Sequence, residues 1–187
     1  MNHIALRAAV RWMAGAAVVC AVLACAGPAG NVRADGDEKP KPPRSVDVQA
    51  LVIMASRGKV GHVDSSLGEI AGLLEKNFAG MFNRFRLHRT AGDDVKLEKT
   101  ATLALIDNYH LKAAYDGADV DDRKQVKIRL TCTLVKRIQV TENGKKKDKD
   151  VPVAGPIRYT VPPGLFCLIA GPKVGDETMV LAVQVRK

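Results

Sequence analysis

Apolar and polar residues alternate most regularly in VKIRLTCTLVKRIQVT, Val126 to Thr141. Val126, Ile128, Leu130, Cys132 and Leu134 share one side of an extended chain, followed in phase by Lys136, Ile138 and Val140. The intervening positions are nearly all polar. A period of two sends successive side chains to opposite faces, so the run predicts a long strand with one face buried along its length. Lys136 breaks that face and marks a bend or an open end. Asn143-Gly144 then supplies the dipeptide favoured in tight hairpin turns, and the KKKDKD that follows reads as a solvated tip. VPVAGPIRYTVPPG returns with Pro152, Pro156, Pro162 and Pro163, which cannot donate to a ladder. It is therefore expected at a sheet edge, or irregular in part. LFCLIAG and TMVLAVQV, separated by PKVGDE, predict a closing hairpin.

Upstream, VDVQALVIMAS places Val46, Val48, Ala50, Val52 and Met54 on one face and Leu51 and Ile53 on the other. Such a strand is expected to be buried on both sides. Gly58 and Gly61 predict a loop, and Ser66-Leu67-Gly68-Glu69 has the form of a capping box. Leu67, Ile70, Leu74, Phe78 and Met81 then follow helical spacing up to Gly80, predicting a helix over Ser66 to Gly80. FNRFRLHR returns to a period of two, with Phe85 and Leu87 opposite Arg84, Arg86 and His88. KLEKTATLALI and YHLKAAY are two more strands, joined through Asp107-Asn108. The sum is an α+β domain over 46–187, one helix packed on a mostly antiparallel sheet of seven or eight strands. No internal repeat divides it.

The first 34 residues follow a different pattern. Arg7 and Arg11 precede WMAGAAVVCAVLA, Trp12 to Ala24, an apolar block shorter than the roughly 20 residues that span a bilayer. Its length and flanks match a bacterial signal peptide and predict export. Three processing sites compete. Val22-Leu23-Ala24-Cys25 resembles the lipobox of bacterial lipoproteins, with cleavage after Ala24 and a lipid on Cys25. Ala24-Cys25-Ala26 and Val32-Arg33-Ala34 satisfy the small-x-small rule, with cleavage after Ala26 or Ala34. The product is periplasmic or secreted, or anchored through Cys25. DGDEKPKPPRS, 35–45, is a proline-rich charged spacer unable to build a core.

Composition narrows the function classes. Aromatic residues make up 4% of the 187-residue chain, too few for a base-stacking surface, so nucleic acid is not an expected partner. The formal charge is +9, and loss of Arg7, Arg11 and Arg33 leaves about +6, an excess that favours anionic neighbours. Arg84, Arg86 and His88 are the candidate contacts on one strand face, with Arg57, Lys59 and the KKKDKD tip able to extend them. His62, His88 and His110 lack metal-ligand spacing, and no phosphate-cradling glycine pattern occurs. No metal or cofactor is therefore expected. DGADVDDRK, Asp116 to Lys124, is acidic, but its glycine is misplaced for a calcium loop. The catalytic alternative is a hydrolase assembled from His62, Asp64 and His110.

Cys132 and Cys167 remain after signal removal if Cys25 is cut away. In a simple meander the proline-rich strand separates their strands by roughly 9–10 Å, beyond the reach of a disulfide. A bridge forms only if that segment leaves the sheet; otherwise two buried thiols are expected. The whole layout resembles small uncharacterised exported proteins of bacteria with complex envelopes. VPVAGPI, with the later GLF, is similar to a proline-glycine motif of outer-membrane secretins. It departs from that motif at Ala154, where leucine is usual, and at Pro156, where aspartate is usual. A whole secretin channel domain does not fit in this chain. The expectation is a non-catalytic envelope module that binds a partner protein or an anionic envelope component, of unknown oligomeric state.

Overall fold

The computed structural model describes residues 41–186. The signal segment, Cys25, the three cleavage positions and 35–40 of the spacer lie outside these residues. Among the described residues there are nine strands. They are β1 (Ser45–Ser56), β2 (His62–Val63), β3 (Arg84–Lys96), β4 (Thr100–Ala104), β5 (Tyr109–Val120), β6 (Val126–Glu142), β7 (Lys145–Val161), β8 (Phe166–Val174) and β9 (Glu177–Arg186). One α-helix, α1 (Ala71–Phe78), follows a short 3-10 turn at Ser65–Leu67. The strands form two sheets, ordered β2-β3-β1-β9-β8 and β4-β5-β6-β7, antiparallel except where β2 meets β3.

This overturns the expected α+β layout of one helix on one sheet of seven or eight strands. The fold is largely β, with the two sheets packed face to face and the helix outside the larger one. The reason is coverage. The helical segment from Leu67 to Phe78 covers only one face of the larger sheet, against β3, β1, β9 and β8. The apolar faces left over can only be buried against each other.

The central strand β1 takes part in both cores. Val46, Val48, Ala50, Val52 and Met54 meet the second sheet through Leu111, Tyr115, Ile128, Leu130, Cys132 and Leu134. Ile53 and Ala55 face the other way, against Leu67, Ile70, Leu74 and Phe78. The same face of β1 begins with Asp47 and Gln49, so it turns from polar to apolar where the helix starts to cover it. Two-sided burial was readable from this strand, and the structure bears it out.

The helix is shorter than expected. Asp64, not Ser66, caps the opening turn, accepting from Ser66 N at 3.0 Å and Ser66 Oγ at 2.7 Å. Ile70 then departs from helical geometry with φ −116°, and α1 proper starts at Ala71. The expected stripe is nonetheless buried at Leu67, Ile70, Leu74 and Phe78, whereas Met81 lies past the helix and is exposed. On β3, His88 has no register partner: Leu87 pairs with Ile53 and Arg89 with Val52. That bulge inserts one residue. Phe85 and Leu87 therefore face the helix while Ala91 and Val95 face the second sheet.

The proline-rich segment behaves as its composition requires. β7 is an edge strand, and its pairing with β6 shifts around Gly155-Pro156. Gly155 has φ +96°, and a Cβ there would lie 2.7 Å from Cys132 O, so no other residue fits without moving the backbone. After Val161 the chain leaves the smaller sheet and enters the larger one at Phe166.

Because both cores share one sheet, the two layers should unfold together. Leu74→Ala should cost about 2–5 kcal/mol and lower the midpoint of a single urea transition. Two separated transitions would show instead that the helix layer unfolds independently of the sheet pair.

Candidate binding surface

β6 and β7 are the longest strands among the described residues, 17 residues each, and they outrun their neighbours. Pairing of β5 with β6 ends at Tyr109–Lys136, while β6 and β7 stay paired to Glu142–Lys145. Beyond Lys136 the sheet is therefore a two-stranded ribbon about 20 Å long at the usual rise per residue. Asn143 and Gly144 close it with φ +52° and +74°, the left-handed pair expected of this dipeptide.

The root of the ribbon is held by charge. The Asp150 carboxylate accepts from Arg137 Nε at 2.9 Å and Nη2 at 3.4 Å. Lys112 Nζ of β5 lies 3.0 Å from the same carboxylate. The hydrogen bonds from Arg137 and then Lys112 pull Asp150 below the ordinary carboxylate range, to about 2. Asp150 in turn raises Arg137. Arg137 N also donates to Asn108 O at 2.7 Å. On the other face the Lys136 ammonium stands 5.4 Å from the centre of the Tyr109 ring.

Register divides the ribbon into two unlike faces. Cross-strand partners share a face, so Lys136–Val151, Ile138–Lys149, Val140–Lys147 and Glu142–Lys145 lie together. Arg137–Asp150, Gln139–Asp148 and Thr141–Lys146 occupy the opposite side. The first face carries four lysines against one carboxylate, together with Ile138, Val140 and Val151. The second balances its charges and has no aliphatic side chain. The first face continues the one that is buried as far as Leu134, but Ile138 and Val151 each keep 37% of their surface exposed. The expectation of burial along the whole of Val126 to Thr141 is thus corrected. Lys136 marks an open end, and apolar residues continue past it into solvent.

The other candidates are spread over the fold. Arg84 and Arg86 share a face of β3, while His88 sits at the bulge. Arg86 is engaged by Glu177 at 2.9 Å. Asn83 pins Gly58 through two hydrogen bonds, which sets the Arg57–Lys59 loop beside the Arg84 side chain. These groups belong to the larger sheet and the ribbon to the smaller.

His62 and Asp64 are neighbours beside the larger sheet, but His110 lies on the smaller sheet, so the three hydrolase residues are not all brought together. His62 borders a depression of about 240 Å³ with Met54, Ser56, Arg84, Phe85, Arg86 and Glu177, and neither Asp64 nor His110 is in its wall. Asp64 is committed to its cap, and the Ser66 hydroxyl and amide hold its carboxyl below the usual range. His110 lies on β5, with Nδ1 3.2 Å from Asn108 O. In the acidic turn, Asp119 meets Arg129 at 3.3 Å and Asp121 meets Lys127 at 3.3 Å. Asp121 also accepts from the backbone of Gln125 and Arg123, so its oxygens close the turn.

Cys132 and Cys167 lie on β6 and β8, in different sheets, and no bridge joins them. The meander that placed both in one sheet does not form. Burial pushes the Cys132 thiol up to about 11, with the Asp116 charge adding to it and the Tyr159 hydroxyl at 3.1 Å opposing. A thiol of that kind is a poor nucleophile.

Comparisons with protein-family models, with curated proteins and with solved structures find no match to this chain.

The root clamp predicts an acid response. A native value near 2 against an unfolded value of about 3.9 means that ionised Asp150 stabilises the folded state. That contribution is complete above pH 4 or so and disappears as pH falls toward 2. Asp150→Asn should lower the urea midpoint at neutral pH and shrink the further loss between about pH 4 and 2. An unchanged acid slope would remove the clamp from the account.

Proposed function

We propose that this protein is a non-catalytic exported envelope module that binds an anionic envelope component through the β6–β7 ribbon. The single observation that supports this reading is the segregation of lysines. Lys136, Lys145, Lys147 and Lys149 share one exposed face with Glu142 as its only carboxylate. Clustered like charge on a two-stranded projection raises the local positive potential and attracts polyanions. The root contacts to Lys112, Asp150 and Asn108 keep the ribbon oriented, so less conformational freedom is lost on binding. No observation favours the hydrolase alternative, because His110 lies on the smaller sheet, apart from His62 and Asp64. Export remains part of the proposal, carried by the signal-like segment, with the product either released or anchored through a lipid on Cys25.

Inorganic polyphosphate is a suitable soluble probe. Replacing Lys145, Lys147 and Lys149 by Gln should weaken its binding about tenfold, taking roughly 0.5 kcal/mol for each exposed pair. The wild-type affinity should fall as salt rises, because exposed charges are screened. Equal affinities for wild type and variant would contradict the proposal. So would binding that ignores salt.

A further inference from the structure

Resting on the anionic-surface reading above, we infer that the component bound by this ribbon face is an anionic phospholipid bilayer. A soluble polyanion needs only the lysines. It gives no use to Ile138, Val140 and Val151, which lie on the lysine face and are absent from the opposite one. Lysine and aliphatic side chains on a common face suit a membrane interface, where the aliphatics enter the acyl boundary and the ammonium groups reach back to phosphate.

Area and charge argue against protein occupants. A ribbon about 20 Å long and two strands wide offers a few hundred Å² per face, against roughly 800 Å² per partner in a standard interface. A second copy docked on this face would set four lysines against four. The bilayer demands neither a large complementary surface nor a matching shape. It supplies phosphate charge and an apolar layer a few ångströms apart, which is the spacing between a lysine head and its aliphatic neighbours.

The test uses residues 35–187, which keep every described strand and leave out the apolar block of 12–24 with the only tryptophan, so that a new one reports locally. Val140→Trp puts the probe on the lysine face and Gln139→Trp on the opposite face. With phosphatidylglycerol vesicles, Val140→Trp emission should shift to the blue and be quenched by brominated acyl chains. Gln139→Trp should do neither, and phosphatidylcholine vesicles should have no effect on either probe. Adding the three Lys→Gln changes should reduce the vesicle affinity read by the Val140→Trp shift about a hundredfold, at roughly a factor of five per lysine near an anionic surface. Ile138→Thr keeps a β-branched residue in the strand and should weaken vesicle binding while leaving polyphosphate binding unchanged. If Val140→Trp fails to shift while polyphosphate binding still depends on the lysines, the bilayer is overturned and the polyanion reading survives. Equal shifts at both probes would also overturn it, because the ribbon would then have no preferred face.

Discussion

β1 carries apolar side chains on both of its faces, and the layers around it are arranged so that both stay dry. Val48, Ala50 and Val52 have no accessible surface on the side toward the second sheet, and Ile53 and Ala55 have none on the side toward the helix. Burying a valine or isoleucine completely contributes roughly 1.5–3 kcal/mol. Leaving either face wet would therefore remove a large part of the net stability of a domain this size. One short helix suffices for the upper part of one face. The other face needs a second sheet, and a two-sheet sandwich with a helical cover follows from that demand.

The second sheet is longer than the sheet it covers. Its apolar alternation is matched by β1 and β9 only as far as Leu134, and beyond that point β6 and β7 have only each other. The unpaired edges of a ribbon invite association with other strands, and this one resists through charge: Lys145, Lys146, Lys147 and Lys149 line the returning strand, and Pro152 lies at its base. The N-terminal segment arrives at the other end of the same sheet, where Tyr115 Oη donates to Pro43 O and Leu97 N to Arg44 O. Tyr115 is paired with Leu130, which places the ribbon tip about 40 Å away along β6.

Local features were legible in the residues because they depend on period and turn chemistry alone. The two-sided character of β1, the stripe Leu67-Ile70-Leu74-Phe78, the Asn143-Gly144 turn and the edge position of the proline segment are of this kind. The number of sheets was not legible by inspection, because it depends on how much area one helix covers, which is a property of the assembled layers. The β3 bulge was hidden for a related reason. His88 continues the polar alternation of Arg84 and Arg86, and only the opposing strand shows that one residue is in excess. The ribbon was half visible: Lys136 announced an open end, but an in-phase Ile138 and Val140 imitate core positions until the facing layer is known to stop short.

Amide hydrogen exchange across the folded chain tests the separation of core and ribbon most directly. Amides of β1 and β9 should exchange only through global unfolding, since both strands are hydrogen-bonded on both edges and covered by packed layers. Amides of 138–149 should exchange through local opening at far lower free energy, in the absence of any binding partner. Protection of 138–149 equal to that of β1 would mean that the lysine and aliphatic face is covered within the protein itself, and the ribbon would then not be a free binding surface.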